Sequence, residues 1–449
     1  VAAVAAHPPL GAAGDARWVE ARSPHFTIVS DAGERQAREV AREFERLRAL
    51  VRQAIPDPQL DPRGPVLVFA AAGECTLRQL IPQFWERDGR RPAAVSWKGA
   101  HAHYITLRTN VRDRDRARLF LHEYIHLLVR TRAPGIPAWL DEGLADFWST
   151  LAAAPGGLEV GAPPPQHLGT LARARSWTPL AAFLAARETP RSRSRDDLAA
   201  YYAQSWALAH YMMIGSPAPG RGGTPSSLLP DAYVSALRNG ASPAEAAAVF
   251  GGVDSLERAV MRYVRAGEIR SRRARIAAAA AGEVEPEVAI RTHSPASALV
   301  MRAFLLIEGE RPAAALPLLE RALALEPAAP NALETRGYFH FVRNEPAAAA
   351  AWFDKAISTG AATHLAYYYR AVLSGTAPRQ VVENHLRRAI DLNPAFAPAY
   401  IRLADMYVEA GRTADALRLL ERAAALEPED APTRAQLERL RKEAARAPR

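Results

Sequence analysis

Apolar positions along the chain fall into short alternating runs, longer helical stripes and, towards the C-terminus, a repeating pattern. Arg17 to Ala21 and Phe26 to Val29, separated by Arg22-Ser-Pro-His25, read as a short β-hairpin. Asp31 and Glu34 have the spacing of a capping box. The helix it predicts carries Ala37, Val40, Ala41, Phe44, Leu47, Leu50 and Val51 on one stripe. Pro65 to Ala70 reads as a buried strand and His103 to Arg108 as another. Asp115 to Arg130 is largely apolar and free of Gly and Pro, so a helix is expected there. A second helix follows within Pro137 to Trp148, then a loop through Gly156-Gly157 and Gly161 to Pro165. Leu198 to Ile214 reads as a further apolar helix, and Ser216 to Ser227 as a mobile surface loop. Capping boxes at Ser242/Glu245 and Asp254/Glu257 announce short helices that close a helical subdomain near Arg265.

Beyond residue 294 the pattern becomes periodic. Pro394 and Pro428 are 34 residues apart, and Pro327 lies 67 before Pro394, or two units of 33 to 34. In the clearest unit Tyr400, Leu403, Ala404, Tyr407, Ala416, Leu420, Ala423 and Pro428 stand at aromatic, small and proline positions. Ala303, Ala315, Leu319 and Ala322 match in the first unit, and Gly337, Ala349, Phe353 and Ala356 in the second. The third, around Tyr369 to Pro394, is degenerate and slips by a residue. This period and residue pattern resemble the tetratricopeptide repeat. Three or four stacked helix pairs, closed by a polar helix from Thr433 to Arg446, are expected to form a solenoid that docks a protein partner.

Composition narrows the picture. The 449-residue chain has room for two or three domains, and its formal net charge is +9. Only Lys98, Lys355 and Lys442 among its 57 basic residues are lysine. The arginines often alternate with acids, as in Arg112 to Arg118, which describes a solvated surface and not a nucleic-acid platform. Cys75 is the only cysteine, which excludes an intramolecular disulfide and a cysteine-rich metal site. No apolar run approaches the roughly 20 residues that a transmembrane helix needs. The opening residues, small and lacking a charged n-region, are compatible with the stub left after signal cleavage.

Chemistry concentrates in His122-Glu123-Tyr124-Ile125-His126. Residues four apart share a helix face, so both imidazoles can reach one ion, while Glu123 projects about 100° away, within reach of a water on that ion. A catalytic zinc site usually adds a third protein ligand. Glu142, in Pro137-Ala-Trp-Leu-Asp-Glu-Gly-Leu-Ala-Asp-Phe-Trp148, is placed to supply it, with Asp141 a lesser alternative. Asp146, one turn on, can accept the free ring N–H of a ligating histidine. The two motifs together resemble the gluzincin metallopeptidases, in particular the bacterial peptidase-MA-like domains. That resemblance makes Glu142 the third ligand, and no third histidine follows as a metzincin would require.

The resemblance implies further roles. Tyr202, in Tyr202-Ala-Gln-Ser205, stands where gluzincins supply an oxyanion donor, with Tyr201 and His210 as alternatives. A small twisted sheet is expected, with Tyr104 to Leu107 as the edge strand that pairs with substrate. His101 and His103 flank that strand and read as exposed strand-end histidines sooner than ligands. Their stretch carries no carboxylate where aminopeptidase-type gluzincins hold the substrate amine, which implies an endopeptidase. The chain is thus expected to be α+β: a flexible start (1–16), a gluzincin-like domain (17–266), a linker (267–294) and an all-α repeat domain (295–449). The expected function is peptide-bond hydrolysis with one zinc per chain, on a peptide or protein substrate, outside the cytoplasm. The alternative is a catalytically silent zinc-binding domain within a repeat-based interaction scaffold.

Overall fold

The computed structural model describes residues 17–85, 91–173, 177–186, 194–216, 227–267, 269–275, 286–375, 378–428 and 430–446. The expected flexible start, most of the expected loop at 216–227 and part of the expected linker, 276–285, lie outside the described residues. The chain forms two compact units. One is Val19–Arg291; the other is Thr292–Arg449 together with the start of the chain up to Trp18.

The first unit is α+β. Its strands are β1 (Val19–Arg22), β2 (Phe26–Ser30), β3 (Val66–Ala71), β4 (Ala94–Lys98), β5 (His103–Arg108), β6 (Ala152–Ala154), β7 (Gly157–Val160), β8 (Arg272–Arg275) and β9 (Ala289–Thr292). Its helices are α1 (Glu34–Ala54), α2 (Glu74–Leu80), α3 (Asp113–Arg132), α4 (Ala138–Trp148), α5 (Pro165–Arg173), α6 (Leu180–Ala185), α7 (Arg195–His210), α8 (Asp231–Arg238), α9 (Pro243–Ala246) and α10 (Val253–Arg265). A mixed sheet runs β4-β5-β3-β2-β1-β9, and a smaller one β6-β7-β8. Strands therefore occupy parts of the stretches read as a loop and a linker, because Gly156 turns at positive φ between β6 and β7 and β8 pairs antiparallel with β7.

The sheet corrects one expectation. Tyr104 to Leu107 lies in β5, which pairs antiparallel with β4 on one side and parallel with β3 on the other, so it is interior. The edge strand on that side is β4. The Ala93 carbonyl accepts from the Arg108 N–H and the Gly99 N–H donates to the Ala102 carbonyl, so by antiparallel alternation Ala94, Ser96 and Lys98 turn their backbone groups outward.

Two helix starts also differ from expectation. Gly33, not Asp31, is the N-cap of α1, and Asp31 instead accepts hydrogen bonds from the Ala72 N–H at 2.7 Å and Thr76 Oγ1 at 2.6 Å. Helix α10 starts at Val253 behind Gly252, which places Asp254 inside it; Glu257 accepts from the Leu180 N–H and so caps α6. The Ser242/Glu245 capping box is formed in full. Helix α3 is held on the core by Phe120, stacked 5.1 Å from Phe44, and by Tyr124, edge-on at 5.5 Å from Phe26. Residues 120 and 124 take one face of α3, which leaves 122 and 126 on another.

Among the described residues the second unit contains nine helices: α11 (Pro295–Glu308), α12 (Pro312–Leu325), α13 (Pro330–Val342), α14 (Pro346–Ser358), α15 (His364–Val372), α16 (Arg379–Leu392), α17 (Ala397–Glu409), α18 (Thr413–Leu426) and α19 (Ala431–Arg446). Proline opens α11 to α14, where its missing N–H costs no helical bond. Ala303, Ala315, Leu319, Ala322, Ala349, Phe353 and Ala356 are buried, as are Tyr400, Leu403, Ala404, Tyr407, Ala416, Leu420 and Ala423. Helix α15, in the degenerate unit, is only nine residues long. Its start is capped from α13, where the Glu334 carboxylate accepts from both the Thr363 N–H and hydroxyl.

Candidate metal centre

Helix α3 ends at Arg132, and the chain turns through Gly135 at φ 78° into α4. This short connection lays α4 alongside α3 and brings His122, His126 and Glu142 together, with ligand atoms within 4.8 Å of one another. The Nε2 atoms of His122 and His126 are 3.1 Å apart. Glu142 Oε2 is 3.7 Å from the first and 3.6 Å from the second. A point equidistant from the three atoms lies about 2.0 Å from each, the length of a zinc–nitrogen or zinc–carboxylate bond. The donor set therefore fits zinc in both chemistry and spacing.

Each imidazole is held from behind by a carboxylate of α4. His126 Nδ1 lies 2.9 Å from Asp141 Oδ1, and His122 Nδ1 lies 3.2 Å from Asp146 Oδ1. These contacts favour the proton on Nδ1 and leave each Nε2 lone pair facing inward, the tautomer that a metal requires. Asp141 thus sits on the outer side of His126, away from the converging atoms.

Burial disfavours charge on both rings, yet the carboxylates outweigh it. His126 is pushed up to about 9 through Asp141 and Glu142, and His122 is raised well above its usual value through Asp146 and Glu142. Because the two Nε2 atoms face each other at 3.1 Å, at most one of them carries a proton. Burial would raise the Glu142 carboxyl, but the adjacent imidazoles of His122 and His126 hold it well below the usual range. Glu123, also buried, lies between the histidines in sequence on α3, and its charge acts on His122. Carboxylates thus surround the converging nitrogens, a field that attracts a divalent cation.

Helix α7 packs against α4 at Gly143, where an added Cβ would collide with the Ser205 carbonyl. Tyr202 is partly buried on α7, one turn before that contact. Tyr201 is buried against Phe183, with ring centroids 5.3 Å apart. His210 is a core residue: its Nε2 lies 3.0 Å from the Gly161 carbonyl and its Nδ1 2.9 Å from the Tyr263 hydroxyl. Burial pushes it down to about 4. His103 is likewise buried, not exposed, with Nε2 3.0 Å from the Arg63 carbonyl, and burial lowers its pKa. His101 lies in the β4–β5 turn, and neither joins the group of three.

Two residues of this centre escape the sequence patterns. His167, on α5, places Nε2 2.8 Å from Asp146 Oδ2. Arg130, on α3, places Nε and Nη2 2.9 Å from Asp141 Oδ2. Arg130 was detectable as the residue four beyond His126, on the same helix face. His167, reached through a separate helix, carries no comparable local signal.

The tetratricopeptide-repeat family pattern matches residues 382–440, within the second unit. No curated protein matches the chain in sequence. Among solved structures, the chain is similar to PilW, a type IV pilus biogenesis factor, at 24% identity and a TM-score of 0.26, over 29% of this chain and 61% of PilW. The chain thus covers less than two thirds of PilW's own length. It is also similar to the tetratricopeptide domain of OM64 from Arabidopsis, at 22% identity and TM-score 0.24, over 25% of this chain and 94% of that domain. For TTC0263, a thermophilic repeat protein of Thermus thermophilus, the values are 21% and 0.28, over 34% and 84%. The second unit is a solenoid of tetratricopeptide repeats, joined to an α+β unit. Among the described residues no helix is long and apolar enough to cross a membrane.

Proposed function

We propose that the chain is a repeat-based protein-interaction protein whose Val19–Arg291 unit acts as a zinc-dependent peptidase, cleaving within chains. The observation that carries the zinc reading is the convergence of His122 Nε2, His126 Nε2 and Glu142 Oε2 around a point at zinc-bond distance from all three. When bound there, zinc would supply Lewis-acid polarisation of a substrate carbonyl and a lowered pKa for water.

The chain's own groups would do the rest. Glu123 would take a proton on its carboxylate from the attacking water and return it to the leaving amine. Tyr202 would donate its hydroxyl hydrogen to the oxyanion as charge develops there. The outward groups of β4 at Ala94 and Lys98 would offer an extended substrate a place to add as a strand, beside the Ser96 carbonyl that Arg130 holds. Solenoids of stacked helix pairs present extended concave surfaces, so the repeats would hold a protein partner or deliver a substrate protein to the site.

A second reading keeps the scaffold and the zinc but not the turnover. The family match within the repeats, at residues 382–440, favours it. The separating experiment is digestion of a broad peptide library by the purified protein, with and without chelator. Chelator-sensitive cleavage absent from Glu123→Gln supports the peptidase; zinc-loaded protein that cleaves nothing leaves the scaffold alone.

A further inference from the structure

Arg130 links the edge of the sheet to the back of a metal-facing histidine. It lies one helical turn after His126 on α3. Its Nη1 donates to the Ser96 carbonyl at 2.6 Å, one of the outward-facing acceptors of β4. Its Nε and Nη2 both reach Asp141 Oδ2 at 2.9 Å. The other oxygen of Asp141 is the one 2.9 Å from His126 Nδ1. A run of close contacts thus leads from the backbone of β4 through a guanidinium and a carboxylate to the imidazole, its last step an ion-pair distance.

The geometry points to Arg130 as a positioning residue for His126, acting through Asp141 and anchored on the Ser96 carbonyl. This inference rests on the zinc reading above. Asp141 is buried, and Arg130 donates to its Oδ2 through two nitrogens, which fixes the rotation of the carboxylate. The planar fork spans the carboxylate and the carbonyl with three separate nitrogens, whereas a lysine ammonium carries its donors on one atom. Because the anchor is an edge-strand acceptor, Arg130 also ties the place where an extended chain would add to the group that orients a ligand.

Zinc dissociation constants measured by chelator competition test this in the full chain. Arg130→Met is expected to weaken zinc roughly 10- to 100-fold, the range for loss of groups that orient metal ligands. Since Arg130 acts through Asp141, the double variant with Asp141→Asn should bind zinc no more weakly than Asp141→Asn alone. Arg130→Lys, the milder change, should lose a smaller factor, and that loss too should vanish in the Asp141→Asn background. Melting of the metal-free proteins provides the control. A lower melting temperature with unchanged zinc affinity, or zinc losses that add in the double variant, would overturn the inference and leave the zinc site standing. Failure of the parent protein to bind zinc would instead overturn the peptidase reading, and this inference with it.

Discussion

His167 Nε2 lies 2.8 Å from Asp146 Oδ2, and the other oxygen of the same carboxylate lies 3.2 Å from His122 Nδ1. A buried aspartate thus stands between two imidazoles, one in the group of His122, His126 and Glu142 and one behind it. Burial alone would raise its pKa, but hydrogen bonds from His122 and His167 hold it below the usual carboxylate range.

His167→Phe keeps a ring of similar shape and removes the donor. Asp146 would then lose a hydrogen bond in a buried setting, a change worth about 1–3 kcal/mol of stability. Zinc affinity should fall as well, because Asp146 orients His122. Urea denaturation of the metal-free proteins and chelator competition measure the two effects. An unchanged unfolding midpoint would mean that His167 does not support Asp146.

Part of this centre was legible in the sequence: helix spacing puts His122 and His126 on one face, while the preference for Glu142 over Asp141 came from the motif resemblance. The sequence also disclosed the solenoid, whose period recurs in positions that are buried in α11 to α18. Supporting contacts were harder to foresee where they cross between distant elements. His167 arrives from α5, and the partner of Arg130 outside its own helix pair is a backbone carbonyl, which leaves no trace in side-chain pattern. Strand β4 was missed because AVSWK is short and follows no clear apolar alternation, and with it the identity of the sheet edge. Asp31 and Asp254 match capping boxes in spacing, yet tertiary contacts and glycine starts decided where α1 and α10 begin.

Acid should weaken the first unit through His210. Its folded value, about 4, lies below the ~6.5 of an unfolded imidazole. Between those values the unfolded chain binds a proton that the folded chain refuses, so stability rises with pH across this window. The contribution is complete above about pH 6.5 and is lost as pH falls towards 4; its size is on the order of 3 kcal/mol. His210→Gln has no titrating ring at that position. Chemical denaturation of both metal-free proteins from pH 7 to 4.5 should show the parent losing the greater stability. Parallel pH profiles would exclude His210 as the source.

Gly337 sets the packing of the second repeat. A Cβ there would meet the Phe353 ring at 2.8 Å, closer than real Cβ contacts allow. Alanine would favour the helix by about 1 kcal/mol, but forcing a methyl into a packed contact costs about 1–3 kcal/mol. The packing term is the larger, so Gly337→Ala should lower the thermal stability of the repeats. A rise in melting temperature would show that Phe353 can move aside.

Three substitutions separate the roles assigned within the metal centre. Glu123→Gln keeps size and shape but removes the proton acceptor, so zinc content should stay near one per chain while turnover collapses. Glu142→Ala removes a ligand, so metal affinity should fall sharply and activity with it. Tyr202→Phe deletes only a hydroxyl; loss of an oxyanion donor costs about 2.7–4 kcal/mol of transition-state stabilisation, or roughly 10²–10³ in turnover, with zinc retained. Elemental analysis beside peptide-cleavage rates distinguishes all three. Glu142→Ala with full zinc, set against loss of metal in Asp141→Ala, would move the third ligand to Asp141. A Tyr202→Phe protein as fast as the parent would pass the donor role to Tyr201, because both nitrogens of His210 are already engaged by Gly161 and Tyr263.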